Sequence, residues 1–111
     1  VEEAYRPRAL RVMAEYMDDD PVWDSDVDHV GPVVLDDLGV SPTLTRRLQA
    51  WNERYNRPPL TKPRFGREEA KAAWLEEGLR LAYALQNELP DIEISCFEDG
   101  DRRPVRDRRG R

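Results

Sequence analysis

Hydrophobic and polar positions alternate from Ala9 to Met17: Leu10, Val12, Ala14 and Tyr16 fall on one side, Arg11, Met13, Glu15 and Met17 on the other. A period of two predicts a strand, and the two methionines on its second side imply that this face is also partly covered. From Ser41 the period changes. Ser41-Pro42 opens a helix, with serine as N-cap and proline at the first helical position, and Leu44, Leu48, Trp51 and Tyr55 form one apolar stripe. Pro58-Pro59 stops this helix near Asn56. A proline-rich connector, Arg57 to Gly66, follows, with Leu60 and Phe65 as its anchors. Arg67 to Leu89 reads as the main helix. Trp74, Leu81, Leu85 and Leu89 define its buried stripe, widened by Leu75, Leu79 and Ala82. Gly78 interrupts that stripe. A glycine there costs about 1 kcal/mol against alanine, so its presence predicts a neighbouring element in close approach. Asp91 to Glu98 alternates again, with Ile92, Ile94 and Cys96 inward, Glu93 and Ser95 outward, and Phe97 as an outward aromatic.

The order is strand, long loop, helix, helix, strand. It predicts an α+β domain with a small two- or three-stranded sheet, built from the first and last strands and covered on one face by the two helices. Two strands alone make a poor sheet, so either Val33–Leu35 adds a third or two copies join edges. The first and last strands are expected to be parallel and adjacent. The face carrying Met13, Met17 and Phe97 is left as a possible homodimer contact. The loop spans Asp18 to Gly39, with turn signals at Asp20-Pro21 and Gly31-Pro32, and Val22, Trp23, Val33, Val34, Leu35 and Leu38 are expected to pin it to the body. The division is then residues 1–8 as a loose leader, 9–100 as the domain, and 101–111 as a flexible arginine-rich tail.

Charge changes the picture of that loop. Between Arg11 and Arg46 there is no lysine or arginine, but nine acids: Glu15, Asp18, Asp19, Asp20, Asp24, Asp26, Asp28, Asp36 and Asp37. Such a segment projects a strong negative field that selects partners rather than folds. Residues 101–111 instead carry six arginines against two aspartates. Their positive charge has three readings: a grip on phosphates, a disordered tail, or a tail folded back on the acidic loop. The tail lacks interleaved aromatics and the acidic body would repel a nucleic-acid backbone, so nucleic acid is not the expected partner. A single cysteine, Cys96, fits a reducing compartment. With no apolar run long enough to span a membrane and no secretory pattern, the expectation is a cytoplasmic protein.

Chemistry is sparse. Asp24-Ser-Asp26-Val-Asp28 has the spacing that begins a calcium loop, yet the sixth position is His29 rather than glycine and the twelfth is Leu35 rather than glutamate. Asp24, Asp26 and Asp28 are thus weak metal candidates, and a solvated acidic loop is the plainer reading. His29 and Cys96 are the one histidine and the one cysteine, and Cys96 falls on an apolar strand face, where cysteine behaves as a small hydrophobe. No nucleotide-binding, zinc or hydrolase motif is present, and no cofactor is expected. Trp23 is either a plug that fastens the loop or an anchor for a partner.

Four stretches carry a resemblance: Ala14-Glu-Tyr16 and the aspartate run leading to Pro21-Val-Trp23-Asp24; Trp51 to Asn56, reading Trp-Asn-x-x-Tyr-Asn; Glu77 to Ala82, reading Glu-Gly-x-x-Leu-Ala; and the following Leu-Gln-x-Glu-Leu. Over residues 10–98 the chain resembles a group of small actinobacterial proteins, some of them similar to immunity proteins encoded beside polymorphic toxins. The arginine-for-lysine bias, sixteen to two, agrees with a GC-rich genome. The resemblance implies an immunity-like, non-enzymatic binding module; the acidic stretch, whose plainer reading is solubility, makes a basic protein the expected partner. Combined with the charge pattern, it nominates Asp18, Asp19, Asp20, Trp23, Asp24, Asp26 and Asp28 as partner-binding residues. The alternative is a small enzyme or divalent-metal domain using the same carboxylates.

Overall fold

The computed structural model describes residues 7–14, 20–26, 28–56, 68–96 and 103–107. Several expectations fall outside these residues: the faces of Tyr16, Met17 and Phe97, the anchors Leu60 and Phe65, the partner candidates Asp18 and Asp19, and most of the tail. The side chains of Tyr55 and Asn56 lie outside them too.

Strand β1 (Ala9–Val12) occupies the interior of a four-stranded mixed sheet, between β2 (Val22–Asp24) and β4 (Glu93–Cys96); β3 (Gly31–Pro32) lies outside β2, giving the order β3-β2-β1-β4. β1 and β4 are parallel, with Leu10 opposite Ile94 and Val12 opposite Cys96. β1 and β2 are antiparallel, with Val12 opposite Val22 and Leu10 opposite Asp24. The α+β class, the two helices and the parallel pairing agree with the sequence. The sheet is larger than expected, because the presumed loop contributes two of its strands. The added strands are Val22–Asp24 and Gly31–Pro32, not Val33–Leu35, where the chain instead begins a short 3₁₀ helix, Leu35–Leu38. Strands of three and two residues carry too little periodicity to read, and β2 turns an aspartate toward the apolar side.

Leu10, Val12, Val22, Ile94 and Cys96 have no exposed surface, and they join Leu48, Trp51, Leu81 and Leu85 in one core. The alternate residues Ala9, Arg11, Met13, Trp23, Glu93 and Ser95 are half-buried. Helix α1 (Pro42–Asn56) starts as its sequence dictates: Ser41 Oγ accepts from the Leu44 amide at 3.2 Å. That hydroxyl donates to Glu88 Oε2 at 2.7 Å, and the Ser41 amide to Glu88 Oε1 at 2.7 Å. The last residue of α2 (Glu68–Glu88) thereby clamps the start of α1.

The helices meet through Trp51 and Trp74, whose rings stack with centroids 4.4 Å apart and planes 8° from parallel. Each indole N–H donates to the other residue's carbonyl, Trp51 to Trp74 at 2.8 Å and Trp74 to Trp51 at 3.1 Å. Gly78 is the close approach that its position predicted, since a methyl group there would lie 2.5 Å from Trp51 Cζ2.

Residues at both ends of the expected domain also pack on it. Pro7 is buried, and the Arg8 carbonyl accepts from the Glu93 amide at 3.0 Å. Within the segment read as a free tail, Pro104 bridges to Ser95 and Val105, in a second 3₁₀ turn (Val105–Asp107), is fully buried. The reason is apolar: Pro104-Val105 offers a hydrophobic pair that the surrounding arginines masked in the composition. Arg106 lies 3.7 Å from Glu93, an ion pair with the sheet rather than with the acidic loop.

Candidate functional site

The acidic segment is built into the fold by its own carboxylates. Asp20, half-buried ahead of β2, accepts from the Leu35 amide (3.0 Å) through Oδ2 and from Gln49 Nε2 (2.7 Å) through Oδ1. The 3₁₀ helix lacks a side-chain cap from its own N-cap residue, Val34; Asp20 supplies one from fifteen positions away. That helix closes at Gly39, whose φ of 78° suits glycine. Asp24, 3% exposed at the end of β2, accepts from the Asp26 amide at 2.9 Å, and Asp26 accepts from the Asp28 amide at 3.0 Å. Two successive Asx turns therefore carry the chain out of β2. Within the Asp-x-Asp-x-Asp spacing, Asp24 and Asp26 each give one carboxylate oxygen to a local backbone amide. Among the described residues no group of three His, Cys, Asp or Glu side chains is placed to hold a metal ion.

Asp26 is the electrostatic centre of this turn. Its Oδ2 lies 3.3 Å from Arg8 Nη2 and 3.8 Å from His29 Nδ1. The Asp28 amide, then Arg8 and His29, hold its carboxyl below the ordinary aspartate value despite the opposing effect of burial. A lowered folded-state pKa means that the charged turn stabilises the fold above the unfolded value and that this contribution is lost as pH falls through the folded one. An NMR titration of the carboxyl carbons should therefore find Asp26 ionising below the ordinary aspartate value. Arg8→Ala should raise the Asp26 value only in part, because the backbone donor remains; complete return to the ordinary value would show that the turn is not formed in solution.

The nominated residues thus separate. Asp20, Asp24 and Asp26 spend carboxylate oxygens on the backbone or on Gln49, while Asp28 is exposed. Trp23 is half-buried, opposite Arg11 and Pro32 in the sheet; its Nε1 is buried and has no hydrogen-bond partner among the described residues. Val34, expected to pin the loop, is instead 55% exposed, and Val30 is 65% exposed. Leu35 takes the anchoring role, with Val33 and Leu38 partly buried beside it.

Sequence reasoning passed over Asp36, Asp37, Val30 and Val34 as site residues. They rim or flank an open cleft of about 450 Å³ between the β2–β3 connection and the 3₁₀ helix, with Asp24, His29, Val30, Val34, Asp37 and Leu38 among its lining. The signal available was Val33-Val34 followed by Leu35-Asp-Asp-Leu, a helical turn whose core-facing residue leaves its neighbours outward. Asp28, Asp36 and Asp37 are exposed and form no ion pair among the described residues. A second groove, about 520 Å³, is lined by Arg47, Arg80, Tyr83 and Arg106. Its cations are already matched: Arg47 pairs with Glu77, Arg80 with Glu76 and Glu77, and Arg106 with Glu93.

No described helix is long and apolar enough to cross a membrane. A search of the curated proteins finds no match to this chain. The model of one protein family, described as Serratia CdiI immunity protein-like, matches residues 8–99, a span that takes in all four strands and both α-helices. That span also contains the acidic segment and every tryptophan, so the match covers most of the folded body rather than one motif. The chain belongs to the Serratia CdiI immunity protein-like family.

Proposed function

We propose that this protein is a non-enzymatic immunity protein that binds and neutralises a basic toxin through the acidic edge formed by residues 18–37. The family match over residues 8–99 carries this reading. The charge pattern supports the location: eight aspartates between residues 18 and 37 without an intervening lysine or arginine, in a segment tied down by Asp20, Asp24 and Asp26. The exposed carboxylates of this tied segment, Asp28, Asp36 and Asp37, meet a cationic surface at little cost in conformational freedom, which favours charge-assisted pairing. Their field also steers encounter. Asp18 and Asp19 add to that field by their charge, Trp23 precedes Asp24 in β2, and Asp28 is exposed in the turn that follows.

The reading predicts a basic partner, held tightly at low salt. Tagged protein exposed to lysate of the source organism should retain such a partner, to be identified by mass spectrometry. The purified pair should associate at least about tenfold more slowly in roughly 1 M salt, where the Debye length shrinks to about 3 Å. Expressed alone the partner should arrest growth, and co-expression of this chain should relieve the arrest. A partner that is acidic, or one whose toxicity the chain leaves unchanged, would refute the proposal.

A further inference from the structure

The cleft beside the 3₁₀ helix combines three features found together nowhere else among the described residues. Val30 and Val34 are the most exposed large hydrophobic side chains there, at 65% and 55%. Both line this cleft, as do the half-buried Leu38 and the buried Asp24. Asp37 stands at its edge, exposed and without an ion pair, as do Asp36 and Asp28 nearby. The arginine groove is the contrast, since each of its cations already has a carboxylate within 4 Å.

An apolar strip next to uncompensated carboxylates matches one kind of side chain closely. Arginine and lysine bury their methylene stems on apolar surface while keeping the charged end at a polar rim. We infer that this cleft receives an arginine or lysine side chain of the toxin, its stem on Val30 and Val34 and its charged end on Asp37. The centre of the interface then lies at the 3₁₀ helix rather than at the Asp18–Asp20 run, which contributes field without direct contact. The inference rests on the immunity reading and narrows it to one cleft and one side-chain chemistry. Interfaces concentrate binding energy in a few desolvated anchors surrounded by a polar rim, and this is the one described place where the acidic edge offers such a seat.

The test uses the full chain, ¹⁵N-labelled, with the blocked tripeptide Ac-Leu-Arg-Leu-NH₂ as probe and its glutamate counterpart as control. The arginine peptide should shift amides between residues 28 and 38 and the glutamate peptide should not. Asp37→Asn and Val34→Ser should each weaken the response about threefold and leave the remaining spectrum unchanged. Shifts centred on Asp20 or on Trp23, or no shifts, would overturn the inference. So would the same shifts appearing on concentrating the chain without peptide, since a second copy would then be the occupant. The two readings fail separately. If the wild-type chain captures its toxin and both variants do so with equal affinity, the cleft is refuted alone; if the wild type relieves no toxicity, the immunity reading falls.

Discussion

Replacing Trp51 by alanine is expected to lower the free energy of unfolding by about 3–5 kcal/mol, measured by urea denaturation followed by circular dichroism. The indole is 1% exposed, stacks on Trp74 at 4.4 Å, and donates to the Trp74 carbonyl. Its removal takes away aromatic area, the ring contact and a buried hydrogen bond, and leaves a cavity between the helices. A domain of this size is stable by roughly 5–15 kcal/mol, so the variant should lie near the limit of folding. A loss below about 1 kcal/mol would mean that the two helices do not meet through these rings.

The same ring sets the sign of a substitution at Gly78. Helix propensity alone favours alanine over glycine by about 1 kcal/mol. Here the added methyl would come within 2.5 Å of Cζ2 and 2.9 Å of Cε2 of Trp51, atoms of a rigid ring held by a stack and a hydrogen bond. Gly78→Ala should therefore destabilise by about 1–3 kcal/mol. In a Trp51→Ala background the obstruction is absent and the substitution should become neutral or stabilising, up to about 1 kcal/mol. This reversal is a coupling energy that a double-mutant cycle reads directly. Equal effects in both backgrounds would remove the close approach as the reason for the glycine.

These residues also explain why the fold was more legible than the function. Where the motifs behind the family resemblance fall on described residues, they have packing tasks. In Glu77-Gly-x-x-Leu-Ala, Gly78 admits Trp51 while Leu81 and Ala82 are fully buried. In Pro21-Val-Trp23-Asp24, proline and valine are buried and Asp24 ties the following turn. Core stripes and breakers announce such roles through period and spacing. The helices and the parallel pairing of β1 with β4 could accordingly be read from the chain. What the sequence hid are contacts between distant positions. Asp20 caps a helix fifteen residues away, and Val105 reaches the core from an arginine-rich stretch. The cleft was hidden for the same reason. Val33, Val34 and Leu35 look alike in sequence, and only the turn of the 3₁₀ helix sends Leu35 to the core and leaves Val34 exposed. Aspartates were legible as charge, but which ones face outward depends on which are engaged by backbone amides.

Leu-Gln-x-Glu-Leu contains the second large effect. Leu85 and Leu89 are core residues, Glu88 clamps Ser41, and Gln86, 9% exposed, joins the end of α2 to β4. Gln86 Nε2 donates to the carbonyls of Leu89 (3.0 Å) and Ile92 (2.7 Å), while its Oε1 accepts from the Ile94 amide at 3.2 Å. Ile94 belongs to the edge strand, and this one side chain satisfies a backbone donor there that the ladder with β1 leaves over. Gln86→Met keeps the volume and removes all three bonds. A buried group left without a partner costs about 1–3 kcal/mol. The Leu89 carbonyl retains the Ile92 amide as a donor at 3.1 Å, which leaves the Ile94 amide and the Ile92 carbonyl as the groups losing this partner. The expected loss is therefore about 2–4 kcal/mol. Amide exchange should localise it: Ile94 should lose protection selectively, while the α1–α2 contact around Trp51 keeps its own relative to the lowered global stability. A uniform fall in protection across the chain, or a loss within about 0.5 kcal/mol, would show that water replaces the side chain at this edge and that Gln86 is not what closes the sheet.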